Sequence, residues 1–263
     1  PHNEKKAELS LEQSIYLRKL ARKIWSFFEI YVGRGDNWLP PDNYQEEPVE
    51  RIAHRTSPTN IGLSLLANLT AYDFGYSTAR EAIELTGNTI NTMQRMEKYR
   101  GNLYNWYDTQ TLMPLSPRYV STVDSGNLMG HLITLKQGLI AIPNDKIVQK
   151  NSADGLVDEI RILAQILNSP GIKKILDKLP PENEIDLDDP ITIKSKLDNL
   201  EELLTKTLAQ LDTDPEEEAE WWIQKIFSHI KNIRKDLKTF LPWVFVKNCP
   251  AKFEKNLPVL PGI

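Results

Sequence analysis

Apolar residues recur every three or four positions along much of the chain, which is the spacing of an amphipathic α-helix. The first such run follows Ser10, which forms a capping box with Gln13, and the run ends before Gly33. Its apolar positions are Leu17, Leu20, Ile24, Phe27 and Phe28. The pattern therefore predicts a long helix near the start of the sequence.

Two further helices are predicted on either side of a very short connection. Ser57 followed by Pro58 is a helix cap with a proline in the first turn, and the pattern continues to about residue 74. Gly75 ends this helix, and another is predicted from Ser77 to about Tyr99. Because only two residues separate them, these helices should lie antiparallel.

Later helices follow the same spacing. Asp124 or Ser125 caps a helix that continues through Leu139 and that Pro143 breaks. Amphipathic helices with charged faces are then predicted over 152–167, 171–179, 191–211 and 215–241. With about eight helices in total, the predicted fold class is all-α, an antiparallel helical array with long irregular loops.

Composition divides the chain into three parts. Residues 1–145 hold the first helices and the irregular loops, and residues 146–241 hold the charged helices, which we expect to pack on the same array. The linker over 180–190 is acidic and rich in proline. Residues 242–263 form a proline-rich tail that contains the single cysteine, Cys249.

Two irregular segments interrupt the helices of residues 1–145. The prolines at positions 40 and 41 prevent a helix over 36–57. The second segment covers 100–124, with short β-like runs over 103–107 and 119–123. We expect the two segments to lie side by side at one end of the array, because both connect helices that an antiparallel arrangement brings together.

These segments carry aromatic residues next to Asp, Asn and Arg, where ordinary connections have small polar residues. Sugars present apolar C–H faces beside dense hydroxyl groups, so a sugar site combines flat rings with side chains that make directed hydrogen bonds. The composition therefore favours a carbohydrate-binding surface. The candidate substrate-binding residues are Trp38, Asp42, Arg55, Asn60, Asn105, Trp106, Tyr107, Asp108, Asp124 and Asn127.

A structural explanation of the same residues is also open. The aromatic side chains could fold back over the helical core, and Arg55 and Asp42 could pin two proline-bounded turns. The chain would then be a non-catalytic scaffold or interaction module, in which the charged helices over 191–241 pair with another domain. Loop aromatics that line one surface favour sugar binding, whereas aromatics buried among leucines favour the scaffold.

Three other features have simpler expected roles. Trp221 and Trp222 lie on a charged helix and are expected to pack against a neighbouring helix. His131 lies one turn inside a helix, where packing or a hydrogen bond to a loop is expected. His54 could bind a ligand or serve the structure, and the sequence leaves both open.

Charge and composition exclude several classes of function. A net charge of −4 and a pI near 5.7 give no electrostatic reason to bind nucleic acid. No apolar run approaches the roughly 20 residues that cross a bilayer, and residues 1–9 are too polar for a signal peptide. We therefore predict a soluble, cytoplasmic segment without membrane contact. One cysteine and four histidines do not favour a metal site, and no cofactor is expected.

The usual catalytic signatures are absent from the sequence. It has no P-loop, no Gly-x-Ser-x-Gly elbow, no His-Glu-x-x-His pair and no Gly-x-Gly-x-x-Gly loop, which disfavours nucleotide binding and simple hydrolase triads. Glycosidic chemistry needs two placed carboxylates. The loop carboxylates are Asp42, Glu46, Asp108 and Asp124, and the sequence does not show which of them converge.

The irregular segments resemble those of the cyclic β-1,2-glucan synthases. They read NWLPPDNYQE at 37–46, HRTSPTNIG at 54–62, DFGY at 73–76, YNWYDT at 104–109 and PRYVSTVDSGN at 117–127. The segments occur in the order found in that family, and the resemblance extends from about Leu17 to Leu139. It implies the start of the family's central glycoamylase-like domain, an (α/α)-barrel held to cyclise linear β-1,2-glucan by retaining transglycosylation.

The same resemblance implies a larger context. The synthases are inner-membrane proteins that also contain a UDP-glucose-dependent glycosyltransferase and a phosphorylase-like domain, so β-1,2-glucan and the remaining domains are the expected partners. The barrel needs about twelve helices, and the later family segments of the YYDLL and MFEYL type are missing here. We therefore expect a partial barrel that supplies part of the substrate-binding surface, with the catalytic residues unassigned and the chain alone inactive.

Overall fold

The structure, a computed structural model, describes residues 9–179, 189–211 and 215–246. These residues form eight α-helices, which confirms the all-α fold class and the expected number of helices. The helices are α1 (Leu11–Tyr31), α2 (Pro58–Phe74), α3 (Ala79–Arg95), α4 (Thr122–Ala141), α5 (Lys150–Leu167), α6 (Pro170–Lys178), α7 (Pro190–Leu208) and α8 (Glu217–Phe240). Short 3₁₀ helices cover Arg34–Asp36, Ile142–Asn144 and Pro242–Phe245.

Six strands of two residues each form three small antiparallel pairs within the described residues. The strands are β1 (Tyr44–Gln45), β2 (Arg51–Ile52), β3 (Arg55–Thr56), β4 (Lys98–Tyr99), β5 (Asn102–Leu103) and β6 (Tyr107–Asp108). The pairs are β1 with β2, β3 with β6 and β4 with β5. Cys249, most of the predicted linker (180–188), most of the predicted tail (247–263) and residues 1–8 lie outside the described residues.

The local capping signals of α1 and α2 are confirmed. The Ser10 side chain accepts a hydrogen bond from the Gln13 backbone N–H at 3.2 Å, and the Gln13 side chain accepts one from the Ser10 N–H at 2.9 Å. Ser57 caps α2 by accepting from the Asn60 N–H at 3.2 Å. Gly75 ends α2 in the left-handed conformation, with φ of 78°, where a residue with a Cβ is strained.

The predicted bounds of α3 are wrong at both ends. Its N-cap is Thr78 rather than Ser77, because Thr78 and Glu81 form a capping box. The helix ends at Arg95, four residues before the predicted end, because the next residues form the hairpin of β4 and β5.

The predicted start of α4 is also wrong. Ser121, not Asp124 or Ser125, is its N-cap, since the Ser121 hydroxyl accepts a hydrogen bond from the Asp124 N–H at 3.1 Å. The run 119–123 is therefore the entry into a helix rather than a strand. Pro143 does lie at the end of α4, in a short 3₁₀ helix, as predicted.

Helices α2, α3 and α4 alternate in direction. Asn68 of α2 lies against Thr86 of α3, so these two helices are antiparallel around Gly75, as predicted. Helices α2 and α4 are parallel, because Thr59 meets Asp124 near their N-termini and Leu69 meets Gly138 further along. Alternation of this kind is what an (α/α)-barrel requires, and the barrel itself stays a prediction.

Helix α1 buries a face that only partly matches its sequence pattern. Leu17, Leu20 and Ile24 are all exposed, whereas Arg22 and Trp25 are buried. Of the other predicted positions, Phe27 and Phe28 are half-buried, and Phe28 packs against the same core cluster as Trp25. The buried face includes Arg22 because Glu159 of α5 pairs with it.

A buried ionic cluster, Arg22, Glu29, Glu159 and His229, joins α1 to α5 and α8. The fully buried Arg22 guanidinium donates to Glu159 Oε1 at 2.8 Å and to Glu29 Oε2 at 2.6 Å. The second carboxylate oxygen of Glu159 lies 3.1 Å from His229 Nδ1. Arg22 also lies over the Trp222 ring, 4.8 Å from its centroid. Trp222 is 3% exposed, which confirms that it packs in the core.

Opposing charges fix the protonation of this cluster. Burial acts to raise the pKa of Glu159, but His229 and Arg22 hold it below its ordinary value. Burial acts to lower the pKa of His229, but Glu159 raises it above its ordinary value. Both shifts favour the ionised pair.

No helix of the described residues is long and apolar enough to cross a membrane. The C-terminal helices form the largest apolar core, and α5 packs against both α1 and α8. The division of the chain at residue 145 stays a prediction.

Candidate functional site

The two irregular segments lie side by side, as the sequence predicted. Strand β3 of the first pairs with β6 of the second, with Arg55 opposite Asp108. The Thr109 N–H donates to the His54 carbonyl at 3.0 Å, and the Asn37 side chain donates to the Thr109 carbonyl at 2.9 Å. Residues about 50 to 70 positions apart in the chain are therefore held together by backbone pairing.

Trp38 is anchored to α3 through its backbone. Asn37 and Trp38 have φ of 52° and 56°, in the left-handed region that costs energy for residues with a Cβ. Hydrogen bonds from Thr92 to the Asn37 carbonyl and from Thr89 to the Trp38 carbonyl, at 2.7 and 2.9 Å, hold this conformation. The Trp38 side chain is half-buried.

Asp42 is the centre of the first group of predicted site residues. Its Oδ2 accepts from Arg55 Nη2 at 2.9 Å and from Nε at 3.1 Å, and its Oδ1 accepts from Asn60 Nδ2 at 3.3 Å. The Arg55 guanidinium also lies over the Trp106 ring, 5.0 Å from the centroid. Arg55 thus connects Asp42 to the second group.

Asn105 is the centre of the second group. With its amide oriented so that both ends are satisfied, its nitrogen donates to Asp124 Oδ2 at 2.9 Å. Its oxygen accepts from the Tyr119 hydroxyl and from Trp106 Nε1, each at 2.7 Å. Trp106 is half-buried, so part of its indole is open to solvent.

Asp124 connects this group to the first turn of α2. Its Oδ1 accepts from the Thr59 hydroxyl at 2.6 Å, and Asn127 donates to the same hydroxyl at 3.2 Å. Thr59 is the chain neighbour of Asn60, so the two groups meet at the start of α2. We call them together the polar cluster: Asp42, Arg55, Thr59, Asn60, Asn105, Trp106, Tyr119, Asp124 and Asn127.

Two of these members, Thr59 and Tyr119, were not among the site residues predicted from sequence. Thr59 is one position from Asn60, but its role depends on Asp124, 65 residues away. Tyr119 was recognised only as a loop aromatic, and its contact with Asn105 depends on how the second segment folds. A spatial contact, and not a local pattern, identifies both.

Tyr107 and Asp108 were predicted to face a ligand, and the structure gives them other contacts. Tyr107 is 0% exposed, its hydroxyl donates to the Glu97 carbonyl at 2.6 Å, and burial raises its pKa to about 12. Asp108 Oδ1 accepts from the N–H groups of Gln110 and Thr111 at 3.0 and 2.7 Å. In this structure Tyr107 is therefore a core residue, and Asp108 closes a turn.

The carboxylates Asp108 and Asp124 are held ionised. For both, partial burial acts to raise the pKa, but hydrogen bonds lower it below the ordinary value. The donors are Thr111 and Gln110 for Asp108, and Ser121 and Thr59 for Asp124. Each carboxylate is therefore a hydrogen-bond acceptor, and neither is suited to deliver a proton near neutral pH.

His54 is held by a carboxylate at the seam between the segments. Its Nδ1 lies 2.7 Å from Asp36 Oδ1, and the Thr109 hydroxyl donates to the same oxygen. The half-buried imidazole is thus oriented by its neighbours. His131 lies where a Cβ on Gly62 would be, which places it in the contact between α2 and α4. Among residues 9–179, 189–211 and 215–246, no group of three or more His, Cys, Asp or Glu side chains could hold a metal ion.

Comparison with known proteins confirms the resemblance noted from the irregular segments. No family model matches the chain. The chain is similar in sequence to a cyclic β-1,2-glucan synthase. The relative is cyclic beta-(1,2)-glucan synthase NdvB of Rhizobium meliloti (strain 1021), with 46% identity over 155 residues. The match covers 58% of this chain and 5% of that protein, so the chain spans only a small part of its relative's length.

Among solved structures, the chain is similar to a protein described as a glucoamylase from Bacteroides fragilis NCTC 9343. The alignment has a TM-score of 0.35 and 12% identity, and it covers 67% of this chain and 36% of the other. A likeness of this size carries no argument about the site.

Proposed function

We propose that this chain is a carbohydrate-handling domain segment that supplies part of a β-1,2-glucan binding surface. The observation that carries the proposal is the polar cluster around Trp106. The cluster is built from the same segments that resemble the glucan synthases, and Asp42, Asn60, Asn105 and Asp124 belong to it. Transglycosylation or cyclisation is proposed only for a longer polypeptide of the kind to which the chain is similar.

The chemistry of the cluster suits an uncharged, hydroxyl-rich ligand. Amide, hydroxyl and carboxylate groups offer donors and acceptors within a few ångströms of the indole, and a sugar hydroxyl can use both. Two of the cluster's three charged groups, Arg55 and Asp42, are already paired with each other. Selectivity would then come from directed hydrogen bonds and from contact with the indole of Trp106.

A titration tests the binding proposal. We expect β-1,2-linked gluco-oligosaccharides to bind with a dissociation constant of about 1 mM, or about 4 kcal/mol, because one wall of a cleft leaves much of the ligand solvated. Trp106→Ala should abolish binding, since it removes the half-buried indole that lies beneath Arg55. Chemical shifts in NMR spectra would report binding at sugar concentrations of tens of millimolar.

The control should be a tryptophan outside the cluster that tolerates truncation. Trp222 is unsuitable because its burial means that Trp222→Ala would unfold part of the core. Trp243 is 38% exposed and belongs to the last 3₁₀ helix, so Trp243→Ala should bind like the parent. An equal loss of binding in both variants would count against the polar cluster as a sugar site. So would the absence of any chemical-shift change when the parent chain is titrated.

We further expect that the isolated chain neither cleaves nor cyclises β-1,2-glucan. Retaining transfer needs a carboxylic acid that is protonated at working pH, which requires a raised pKa. The cluster's Asp124 and the neighbouring Asp108 have lowered pKa values instead. Product analysis after prolonged incubation would show no new oligosaccharide, and turnover that Asp124→Asn removes would move this residue into catalysis.

The scaffold alternative receives support from Tyr107, and Tyr104 packs against the same core cluster. Tyr107 is buried beside Leu103 and other apolar side chains, as the scaffold interpretation expected for the loop aromatics. The contacts of Trp106 with Asn105 and Arg55 favour sugar binding. The binding titration decides between the sugar-binding and the scaffold interpretations. Under both interpretations, the partners that we propose are the remaining domains of a synthase-like polypeptide.

A further inference from the structure

Arg55 is held in one position although half of its side chain is exposed. Its Nε and Nη2 groups both donate to Asp42 Oδ2, at 3.1 and 2.9 Å, and the exposed fractions of the two side chains are 52% and 19%. Asp42 is itself fixed, because it accepts from Asn43 Nδ2 at 3.1 Å and from Asn60 Nδ2 at 3.3 Å. A long exposed side chain loses conformational entropy when it is ordered, so these hydrogen bonds keep the guanidinium in place.

The fixed guanidinium lies over the Trp106 ring. Strand β3 pairs with β6 so that Arg55 stands opposite Asp108, and Trp106 precedes Asp108 by two positions. Side chains two positions apart in an extended chain point to the same side, which brings Trp106 within reach of Arg55. The guanidinium carbon is 5.0 Å from the ring centroid, within the range of a cation–π contact. Through Arg55, the position of Asp42 therefore sets a contact on the indole.

Two further contacts hold the same tryptophan. Its indole nitrogen donates to the Asn105 amide oxygen at 2.7 Å, in the amide orientation that satisfies both ends of Asn105. The Leu115 N–H donates to the Trp106 carbonyl at 2.9 Å. The backbone, the indole nitrogen and the ring are thus each held by a different neighbour, and the orientation of the indole is set before a ligand arrives.

We propose that Arg55 is a positioning residue for sugar binding, which acts by holding the Trp106 indole and not by its charge. This inference rests on the proposed sugar-binding function. An uncharged sugar ring offers no countercharge to the guanidinium, and Asp42 already balances the charge of Arg55. An indole that is ordered in advance loses less side-chain entropy when a sugar packs on it, so the complex is more stable.

A titration of Arg55→Gln with β-1,2-linked gluco-oligosaccharides tests the proposal. Glutamine removes the planar group that lies over the ring, so the dissociation constant should rise about three- to tenfold, the cost of ordering one side chain on binding. Tighter binding by this variant would overturn the proposal, because Arg55 would then be a group that covers the indole.

Arg55→Lys separates positioning from charge. Lysine keeps the positive charge but lacks the planar group that donates two N–H groups from one edge while it stacks on a ring. Arg55→Lys should therefore weaken binding as much as Arg55→Gln does. Binding by the lysine variant that equals binding by the parent would overturn the proposal, since the charge alone would then be sufficient.

The matched control is Arg118→Gln. Arg118 also lies over an aromatic ring, 5.9 Å from the centroid of Tyr104, and it pairs with the Glu97 carboxylate at 3.1 Å. Its side chain is 44% exposed, and it does not belong to the polar cluster. Arg118→Gln should bind the oligosaccharides like the parent. A loss equal to that of Arg55→Gln would overturn the proposal, because the effect would not depend on Trp106.

The order of the Trp106 side chain gives a measurement that needs no sugar. The indole N–H signal that disappears in Trp106→Ala identifies this residue in NMR spectra. Its nitrogen relaxation should give an order parameter of about 0.85 in the parent and a clearly lower value in Arg55→Gln. Equal order in both chains would overturn the proposal even if the sugar affinity fell. If the parent bound no oligosaccharide, the proposed sugar-binding function would fail, and the relaxation measurement would still decide whether Arg55 positions the indole.

Discussion

Glu159→Gln should lower the free energy of unfolding by about 3 to 5 kcal/mol, the usual cost of removing one partner from a buried charge pair. The carboxylate of Glu159 pairs with both Arg22 and His229. Glutamine keeps the shape but removes the negative charge, so Arg22 would keep only Glu29 as its partner in the buried ionic cluster, and His229 would lose its charged partner. Urea denaturation followed by circular dichroism would measure the loss.

The matched control for this variant is Glu218→Gln. Glu218 pairs with Lys23 between the same helices, α8 and α1, but both side chains are largely exposed. Exposed pairs contribute at most about 1 kcal/mol, so this change should be small. Similar losses for both variants would show that burial of the ionic cluster contributes little.

The effect of Glu159→Gln should also depend on pH. The pKa of Glu159 is lower in the folded chain than its ordinary value of 4.5, so its ionised form stabilises the fold above that pH. This contribution is lost as pH falls through the folded-state pKa. The difference in the free energy of unfolding between the parent and Glu159→Gln should therefore reach its full value near pH 6 and should decrease as the pH falls below 4.5.

Gly75→Ala should be the second severe change, with a loss of about 2 to 4 kcal/mol in the free energy of unfolding. Its φ of 78° costs about 1 kcal/mol for alanine, and a Cβ there would lie 1.8 Å from the Asn151 carbonyl oxygen. That oxygen belongs to the backbone of α5, so relief requires α5 to shift and adds an overpacking cost of about 1 to 3 kcal/mol. The melting temperature and the urea midpoint should both fall.

Gly101→Ala separates backbone strain from the clash. Gly101 has a similar φ of 85°, but a Cβ there would have nothing within 4 Å. Gly101→Ala should therefore lower the free energy of unfolding by only about 1 kcal/mol, which is the cost of the backbone strain alone. If the two variants lost the same stability, the close contact between Gly75 and α5 would not matter to the fold.

The parts of the fold that sequence predicts well are those set by neighbours along the chain. Ser10, Ser57 and Gly75 act within one helical turn, so their patterns specify the ends of α1 and α2 correctly. The N-caps of α3 and α4 are Thr78 and Ser121 rather than the predicted residues. Several polar residues near the start of each helix have side chains that can cap it. The choice among them depends on the entry path of the chain, which a local pattern does not contain.

The buried side of α1 could not be predicted from the same pattern. Apolar spacing indicates Leu17, Leu20 and Ile24, but burial of Arg22 is stabilised by Glu159, which is 137 residues away. The adjacency of the two irregular segments was predictable from helix connectivity. The distinction between Trp106, which joins the polar cluster, and its neighbour Tyr107, which is buried, requires the pairing of β3 with β6.

The parallel arrangement of α2 and α4 has an electrostatic consequence for the polar cluster. Both helices begin there, and each N-terminus carries the equivalent of about half a positive charge. Asp124, in the first turn of α4, touches Thr59 in the first turn of α2, so one carboxylate faces both helix ends. Arg55 and Asp42 cancel each other nearby. The result is a surface rich in hydrogen-bonding groups with almost no net field, which an uncharged ligand can approach without regard to ionic strength.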